Sequence, residues 1–247
     1  MTRQDTPNLT RHVALVTGAS SGLGRRAATV LAQAGAKVVA VARRAEALST
    51  IEGVTPLPWD LADRGALADL AAEASRPYGA PDILVHAAGI NTREAADEVT
   101  SEGWDITLEL NLATPFFLSQ HLVPAMQAKG WGRIVNFASL QSSRAFPGGL
   151  AYGASKGGVS QLTRAMAEAW SRHGICVNAI GPGFFCTELT AAVFADPDRA
   201  ARHAAQTCMG RNGEVEDLDG PLLFFCSECC HYVTGQTLMV DGWVTAK

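Results

Sequence analysis

The feature that most constrains this chain is an alternation. Short apolar runs rich in β-branched residues (HVALVTG, AKVVAVA, TPLPWDL, DILVHAAG, GRIVNFAS, ICVNAIGPG and TLMVDG) are separated by Ala- and Leu-rich stretches of helix length. The main helical stretches run from about Gly24 to Ala34, Ala45 to Ile51, Arg64 to Ser75, Thr100 to Lys129 in two parts, and Ala151 to His173. Runs that are apolar throughout, rather than at every second residue, mark strands buried on both faces of a parallel sheet. Helices between such strands must cover both faces. The pattern therefore predicts a doubly wound α/β sheet with ligands at the carboxyl ends of its strands.

No linker, low-complexity tract or repeat interrupts the 247 residues, so a single domain over 1–247 is expected, with the polar residues 1–10 as a flexible N-terminal extension. A net charge of −4 without any Lys/Arg block gives no reason to expect nucleic acid or an anionic membrane as a partner. Neither a signal-like apolar segment nor a stretch of membrane-spanning length is present, which points to a cytoplasmic protein. Cys226, Cys229, Cys230 and His231 lie close together but have no second ligand pair of matched spacing. They are read as core or helix-end residues, no metal is expected, and all six cysteines are expected reduced.

The first strand runs directly into Gly18-Ala19-Ser20-Ser21-Gly22-Leu23-Gly24 and then a helix. Glycines there permit a tight turn, let backbone N–H groups approach a pyrophosphate, and set it at a helix N-terminus. The second strand ends in Ala42-Arg43-Arg44, with no acid to accept a ribose 2′-hydroxyl. Guanidinium groups hold a 2′-phosphate, so NADP(H) is preferred with NAD(H) as the second candidate, Arg43 being favoured over Arg44. The bland alternative is a solvated arginine pair. Asp60 and the backbone of Leu61 are candidates for the adenine, against the alternative that Asp60 caps a helix.

Tyr152 and Lys156, spaced i, i+4, share one helical face, and Ser139 ends the strand GRIVNFAS. Bringing a phenol from a pKa of ~10 to ~7 takes about 4 kcal/mol of phenolate stabilisation. One ammonium ~4 Å away supplies about that at an effective dielectric near 20.

Taken together, TGASSGLG, HAAG, Asn111, Ser139, YGASK and NAIGPGFFCTE resemble the short-chain dehydrogenase/reductase family over nearly the whole chain. The resemblance implies a Rossmann-type seven-stranded parallel sheet and a homotetramer. It implies that Ser139 orients a substrate carbonyl, Tyr152 transfers the proton, and Lys156 lowers the Tyr152 pKa while holding the nicotinamide ribose. Asn111 would anchor a water leading from Lys156 to solvent. Ala87, Ala88 and Gly89 would line the coenzyme site, and Pro182, Gly183, Phe185 and Thr187 would position the carboxamide. By their place around these residues, Gln141, Phe146, Gly149 and Phe184 are expected to complete the substrate pocket with Ser139 and Tyr152.

Two departures from the family pattern stand out. The usual Asn-Asn-Ala-Gly is His86-Ala87-Ala88-Gly89, where His86 is read as a structural hydrogen-bonding residue. Val-Asp-Gly-Gly becomes Val240-Asp241-Gly242-Trp243, placing Trp243 either in a subunit interface or at a neighbouring active site. Within the family, GINTREAADEVTSEGWD and GPGFFCTELT resemble the gluconate 5-dehydrogenase and 2-deoxygluconate 3-dehydrogenase group, which implies a sugar-acid ketone. Arg93 and Arg144 are the candidates for a carboxylate. Two phenylalanines instead suit an aryl or aliphatic ketone, and a 3-oxoacyl reductase of the same family is a further alternative. Of other classes, a catalytically silent dinucleotide sensor and a Rossmann-like methyltransferase are the competitors.

Overall fold

A computed structural model of the protein describes residues 7–246. Seven strands pair in parallel in the order β3-β2-β1-β4-β5-β6-β7: β1 (Val13–Thr17), β2 (Lys37–Ala42), β3 (Val54–Pro58), β4 (Ile83–His86), β5 (Gly132–Phe137), β6 (Ile175–Pro182) and β7 (Thr237–Val240). The helices between them are α1 (Gly22–Gln33), α2 (Ala45–Ser49), α3 (Leu67–Ser75), α4 (Ser101–Leu108), α5 (Thr114–Lys129) and α6 (Leu150–Trp170). After β6 come α7 (Ala191–Phe194), α8 (Pro197–Ala204) and α9 (Asp219–Cys226). This is the expected Rossmann-type doubly wound fold.

Side chains on successive strand positions point to opposite faces, so a strand buried on both sides feeds two cores. Ala14 and Val16 of β1, with Val38 and Ala40 of β2, pack with Ala27, Leu31, Leu222 and Phe225 from α1 and α9. Leu15, Val39 and Val41 pack the other way, with Leu67, Leu70, Leu118, Leu122 and Met166 from α3, α5 and α6. Each large aliphatic side chain fully buried there contributes ~1.5–3 kcal/mol relative to exposure. Strand β1 pairs with β2 on one side and β4 on the other, placing Thr17 beside His86 at the carboxyl ends. Such a reversal of strand order leaves a crevice above the sheet.

One expectation gains detail and two are corrected. The Thr100 to Lys129 stretch is α4 and α5 joined by a π-helical turn, Glu109–Ala113, which carries Asn111. Residues 7–10 are not a loose extension: Leu9 is buried in the core and its N–H donates to the Ala34 carbonyl at 2.9 Å. An apolar side chain among polar neighbours gives that segment something to bury. Residues 1–6 lie outside the described residues. The cysteine cluster divides, because α9 ends at Cys226 and a helical turn over Glu228–Cys230 follows. Cys226 and Cys230 are buried while Cys229 and His231 face outward. Among the described residues no group of three or more His, Cys, Asp or Glu side chains is arranged to hold a metal, and no helix is long and apolar enough to cross a membrane.

Candidate active site

A cavity of about 750 Å³ opens over the carboxyl ends of the strands. One end is built by the β1–α1 turn. Gly18 has φ +67° there, and a Cβ on it would stand 2.6 Å from the Ala88 backbone nitrogen; one on Gly24 would stand 2.3 Å from the Gly18 carbonyl oxygen. Any side chain at either position would force this turn, the start of α1 and the β4 end apart. Ser21 is the N-cap of α1 but makes no side-chain capping bond, so the helix N-terminus presents its donors to the cavity with Ser20, Gly22 and Leu23 beside it.

Arg43 and Arg44 leave the end of β2 at the same cavity wall. Arg44 is bonded to Ser20 and to Glu188, whereas Arg43 makes no hydrogen bond or ion pair among the described residues. Asp60 lines the wall and accepts from the Ala62 N–H at 3.1 Å in a local turn, but it caps no helix: the helical turn Arg64–Ala66 that follows is capped by Asp63. The Leu61 carbonyl is taken by the Thr114 hydroxyl at 2.8 Å. Ala87, Ala88 and Gly89 continue the floor from β4.

The other end is built by β5, α6 and the segment after β6. The Ser139 hydroxyl accepts from the Gln141 N–H at 3.1 Å and lies close enough to the Tyr152 phenol to favour its ionised form. Burial holds the Tyr152 phenol above its ordinary value, against the Ser139 hydroxyl and the positive charge of Arg93, which favour the phenolate. Lys156, 4% exposed, donates from Nζ to the Phe137 carbonyl at 2.6 Å, and that nitrogen lies 5.6 Å from the centre of the Tyr152 ring. Burial brings Lys156 itself down to about 8. The expected depression of the phenol by Lys156 is thus absent from this geometry: the ammonium is spent on a β5 carbonyl.

Asn111 is buried behind the cavity rather than on its wall. Its side chain bonds both backbone groups of Ile90 at 2.9 Å and donates to the Ser155 hydroxyl at 3.0 Å. A Cβ on Gly89 would lie 3.2 Å from Asn111 Oδ1 and 3.7 Å from Lys156 Nζ, so the two side chains meet across that glycine. Pro182, Gly183, Phe184, Phe185 and Thr187 all line the cavity, with Thr187 against Gly22 of the first turn. Phe185 is 3% exposed, its ring buried against Gly213. Gln141 and Phe146 face the cavity. Gly149 does not: it is the residue before α6, and the Gln141 carboxamide covers it, with Oε1 2.0 Å from where its Cβ would be. His86 is buried outside the cavity lining, bonded through Nε2 to Ser119 at 2.9 Å, and burial brings it down to about 3, leaving it neutral.

The sequence reading missed the segment after Thr187. Glu188 and Leu189 line the cavity, and so do Arg199 and His203 from α8. His203 stacks on Phe184 with ring centres 3.6 Å apart, and Phe184 meets Phe146 edge-on at 5.8 Å. A signal was available: helical residues inserted between the carboxyl end of one parallel strand and the next crossover sit where ligands bind. Arg93, named only as one of two carboxylate candidates, lies on the wall with φ +59° and donates to the Leu189 carbonyl at 2.6 Å; Arg144 is not on the wall.

A glycine turn over a helix N-terminus, facing a Ser, Tyr and Lys set across one crevice, defines a dinucleotide-dependent oxidoreductase. A family model described as enoyl-(acyl carrier protein) reductase matches residues 18–245. The chain belongs to the short-chain dehydrogenase/reductase family, whose members act on CH–OH groups with NAD(P). It is 38% identical over 255 residues to gluconate 5-dehydrogenase of Gluconobacter oxydans, covering 100% of each chain. It is 40% identical over 254 residues to 2-dehydro-3-deoxy-D-gluconate 5-dehydrogenase of Dickeya dadantii, covering 98% of this chain and 99% of that one. The crystal structure of a gluconate 5-dehydrogenase from Burkholderia cenocepacia in complex with NADP and tartrate superposes with a TM-score of 0.92 at 35% identity, covering 97% of each chain.

Proposed function

We propose that this chain interconverts a secondary alcohol and a ketone with NADP(H), and that its substrate is a sugar acid. The observation that carries the reading is Ser139 beside Tyr152, with Arg93 charge on the phenol, at one end of a cavity whose other end is a glycine turn flanked by an Arg43 without a partner among the described residues.

The residues present fit NADP(H). The turn admits only backbone at Gly18 and Gly24, the α1 N-terminus has no side-chain cap, and Arg43 supplies a free guanidinium where β2 ends without an acid. Bound there, the coenzyme supplies or accepts the hydride. In the reducing direction Tyr152 gives its phenolic proton to the carbonyl oxygen while Ser139 holds that oxygen in place. Burial keeps Tyr152 protonated until the carbonyl oxygen gains charge, and Arg93 then stabilises the phenolate left behind. Once off the Phe137 carbonyl, Lys156 would hold the nicotinamide ribose and face Tyr152 from the next turn of α6. Asn111, meeting it across Gly89, lies on the path by which that proton is exchanged with solvent.

A sugar acid is favoured by the relatives' activities, by the bound tartrate of a solved relative, and by Arg93, a cation on the wall beside Tyr152. The Gln141 Oε1 atom, buried without a partner, is available to a hydroxyl. The aromatic wall of Phe146, Phe184 and His203 favours a second reading, an aryl or aliphatic ketone. The homotetramer and the cytoplasmic location belong to the same proposal; Leu150, Leu238 and Trp243, each at least 40% exposed, offer apolar surface for assembly.

The test is NADPH oxidation across sugar-acid ketones, aryl and aliphatic ketones and 3-oxoacyl thioesters, with Tyr152→Phe as control. The variant should keep coenzyme binding and lose ~10²–10⁴ in kcat. Turnover of aryl ketones alone would select the second reading. A Tyr152→Phe enzyme as fast as the parent would end the mechanism.

A further inference from the structure

Glu188 opens a short helical turn, Glu188–Thr190, directly after the segment that follows β6 along the cavity wall, and its carboxylate reaches the end of the cavity where β2 stops. Arg44 Nη1 donates to Glu188 Oε1 at 3.1 Å and Nη2 to Oε2 at 2.8 Å, a two-pronged pairing. The same guanidinium donates from Nε and Nη2 to the Ser20 hydroxyl at 3.2 and 3.0 Å. The Ser21 hydroxyl lies beside the same carboxylate and, with Arg44, favours its ionised form. An anionic group thus rests on Arg44 at the N-terminus of α1, beside Ser21, with Ser20 holding the same guanidinium from its other side; these are groups that recognise phosphate.

We propose that Glu188 sets coenzyme selectivity by competing with the 2′-phosphate of NADP(H) for Arg44. The proposal rests on the NADP(H) reading above. Arg43 meets the phosphate without giving anything up, whereas Arg44 must exchange one bidentate anion for another. NADH carries no phosphate to exchange, so Arg44 keeps Glu188 when it binds. The carboxylate therefore acts against NADPH alone, and the selectivity of the two-arginine wall is narrower than two free guanidiniums would give. Both side chains are more than half exposed, which limits the strength of the pair and leaves the fold independent of it.

The experiment is equilibrium binding of NADPH, NADH, 2′,5′-ADP and 5′-ADP to the full chain, its Glu188→Gln and Arg44→Ala variants, and the double variant. An exposed pair of this kind is worth up to ~1 kcal/mol, so Glu188→Gln should tighten NADPH and 2′,5′-ADP by roughly three- to fivefold. NADH and 5′-ADP should move by less than about half of that, and the gain should vanish in the Arg44→Ala background. Equal tightening of all four ligands would show general repulsion of phosphate and overturn the proposal. Weaker NADPH binding would overturn it too, by showing that Glu188 orients Arg44 for the phosphate. A parent chain indifferent to the 2′-phosphate and unmoved by Arg43→Ala would bring down the coenzyme reading and this proposal together. A preference lost in Arg43→Ala but unchanged in Glu188→Gln would remove only this proposal.

Discussion

Lys156 donates its ammonium to the Phe137 carbonyl, not to the Tyr152 hydroxyl one helical turn away. A cation 4% exposed with one protein acceptor is poorly compensated, which is why burial brings it down from 10.5 to about 8. Position, not stability, accounts for a lysine there. It joins the carboxyl end of β5 to the face of α6 that carries Tyr152.

That cost gives a measurable sign. Below about pH 8 Lys156 is protonated in both folded and unfolded chains and its full penalty, about 3 kcal/mol from the shift, is present. As pH rises from about 8 to 10.5 the folded chain releases the proton first, and the penalty is withdrawn. Lys156→Met should therefore be inactive yet more stable than the parent by ~1–3 kcal/mol at neutral pH, the lost hydrogen bond offsetting part of the gain. Denaturant unfolding should show that advantage shrinking through the alkaline window. A variant less stable than the parent at neutral pH would contradict it.

His86 titrates in the other part of the range. Its folded value of about 3 lies below the ordinary 6.5, so the stability it permits is whole above pH 6.5 and falls away as pH drops toward 3. The cause is burial in a neutral pocket where Nδ1 has no partner and Nε2 faces Ser119. Replacing it with asparagine removes the titrating group. The melting temperature of His86→Asn should decline less steeply than the parent's between about pH 6.5 and pH 4, by a margin equivalent to a few kcal/mol. Parallel declines would mean that other groups carry the acid sensitivity.

The strands and the glycine turn between β1 and α1 were legible because their constraints are local. An apolar run has only a doubly covered sheet to enter, and Gly18 and Gly24 occupy positions that backbone approach reserves for glycine. Tyr152 and Lys156 were legible from helical spacing and Ser139 from its place at a strand end. What escaped was set by tertiary placement. Nothing within GRIVNF says that the Phe137 carbonyl claims Lys156, and nothing near Arg44 says that Glu188, 144 residues on, lies across from it. Leu9 escaped for a related reason, since one apolar residue has no periodicity to read. Gly149 sits in the right loop but under Gln141, a matter of which side chain folds over which.

That overlap gives a substrate-side prediction. A methyl group on Gly149 would stand 2.0 Å from Gln141 Oε1 and 3.1 Å from the Phe146 carbonyl oxygen, so the carboxamide, at the end of a flexible side chain, must move. Gly149→Ala should raise KM for a polyhydroxylated ketone by roughly two- to tenfold, the worth of one hydrogen bond, while NADPH affinity stays unchanged. Unaltered KM would place Gln141 outside the substrate contacts.

Arg43 carries the coenzyme prediction because it is the arginine without a partner among the described residues. Its guanidinium has nothing to surrender when a 2′-phosphate arrives, and hydrogen bonds to a charged group are worth ~1.5–3 kcal/mol each. Arg43→Ala should then weaken NADPH roughly 10- to 100-fold and NADH little. Ala42, at the end of β2 and 6% exposed, is where an acid would meet the ribose hydroxyls. Ala42→Asp should repel the phosphate and accept from the 2′-hydroxyl, moving preference toward NADH even with both arginines intact. Binding constants for both coenzymes in both variants decide the matter: equal losses in Arg43→Ala would make that arginine a solvated surface charge, and the β2 end would then carry no information about the phosphate.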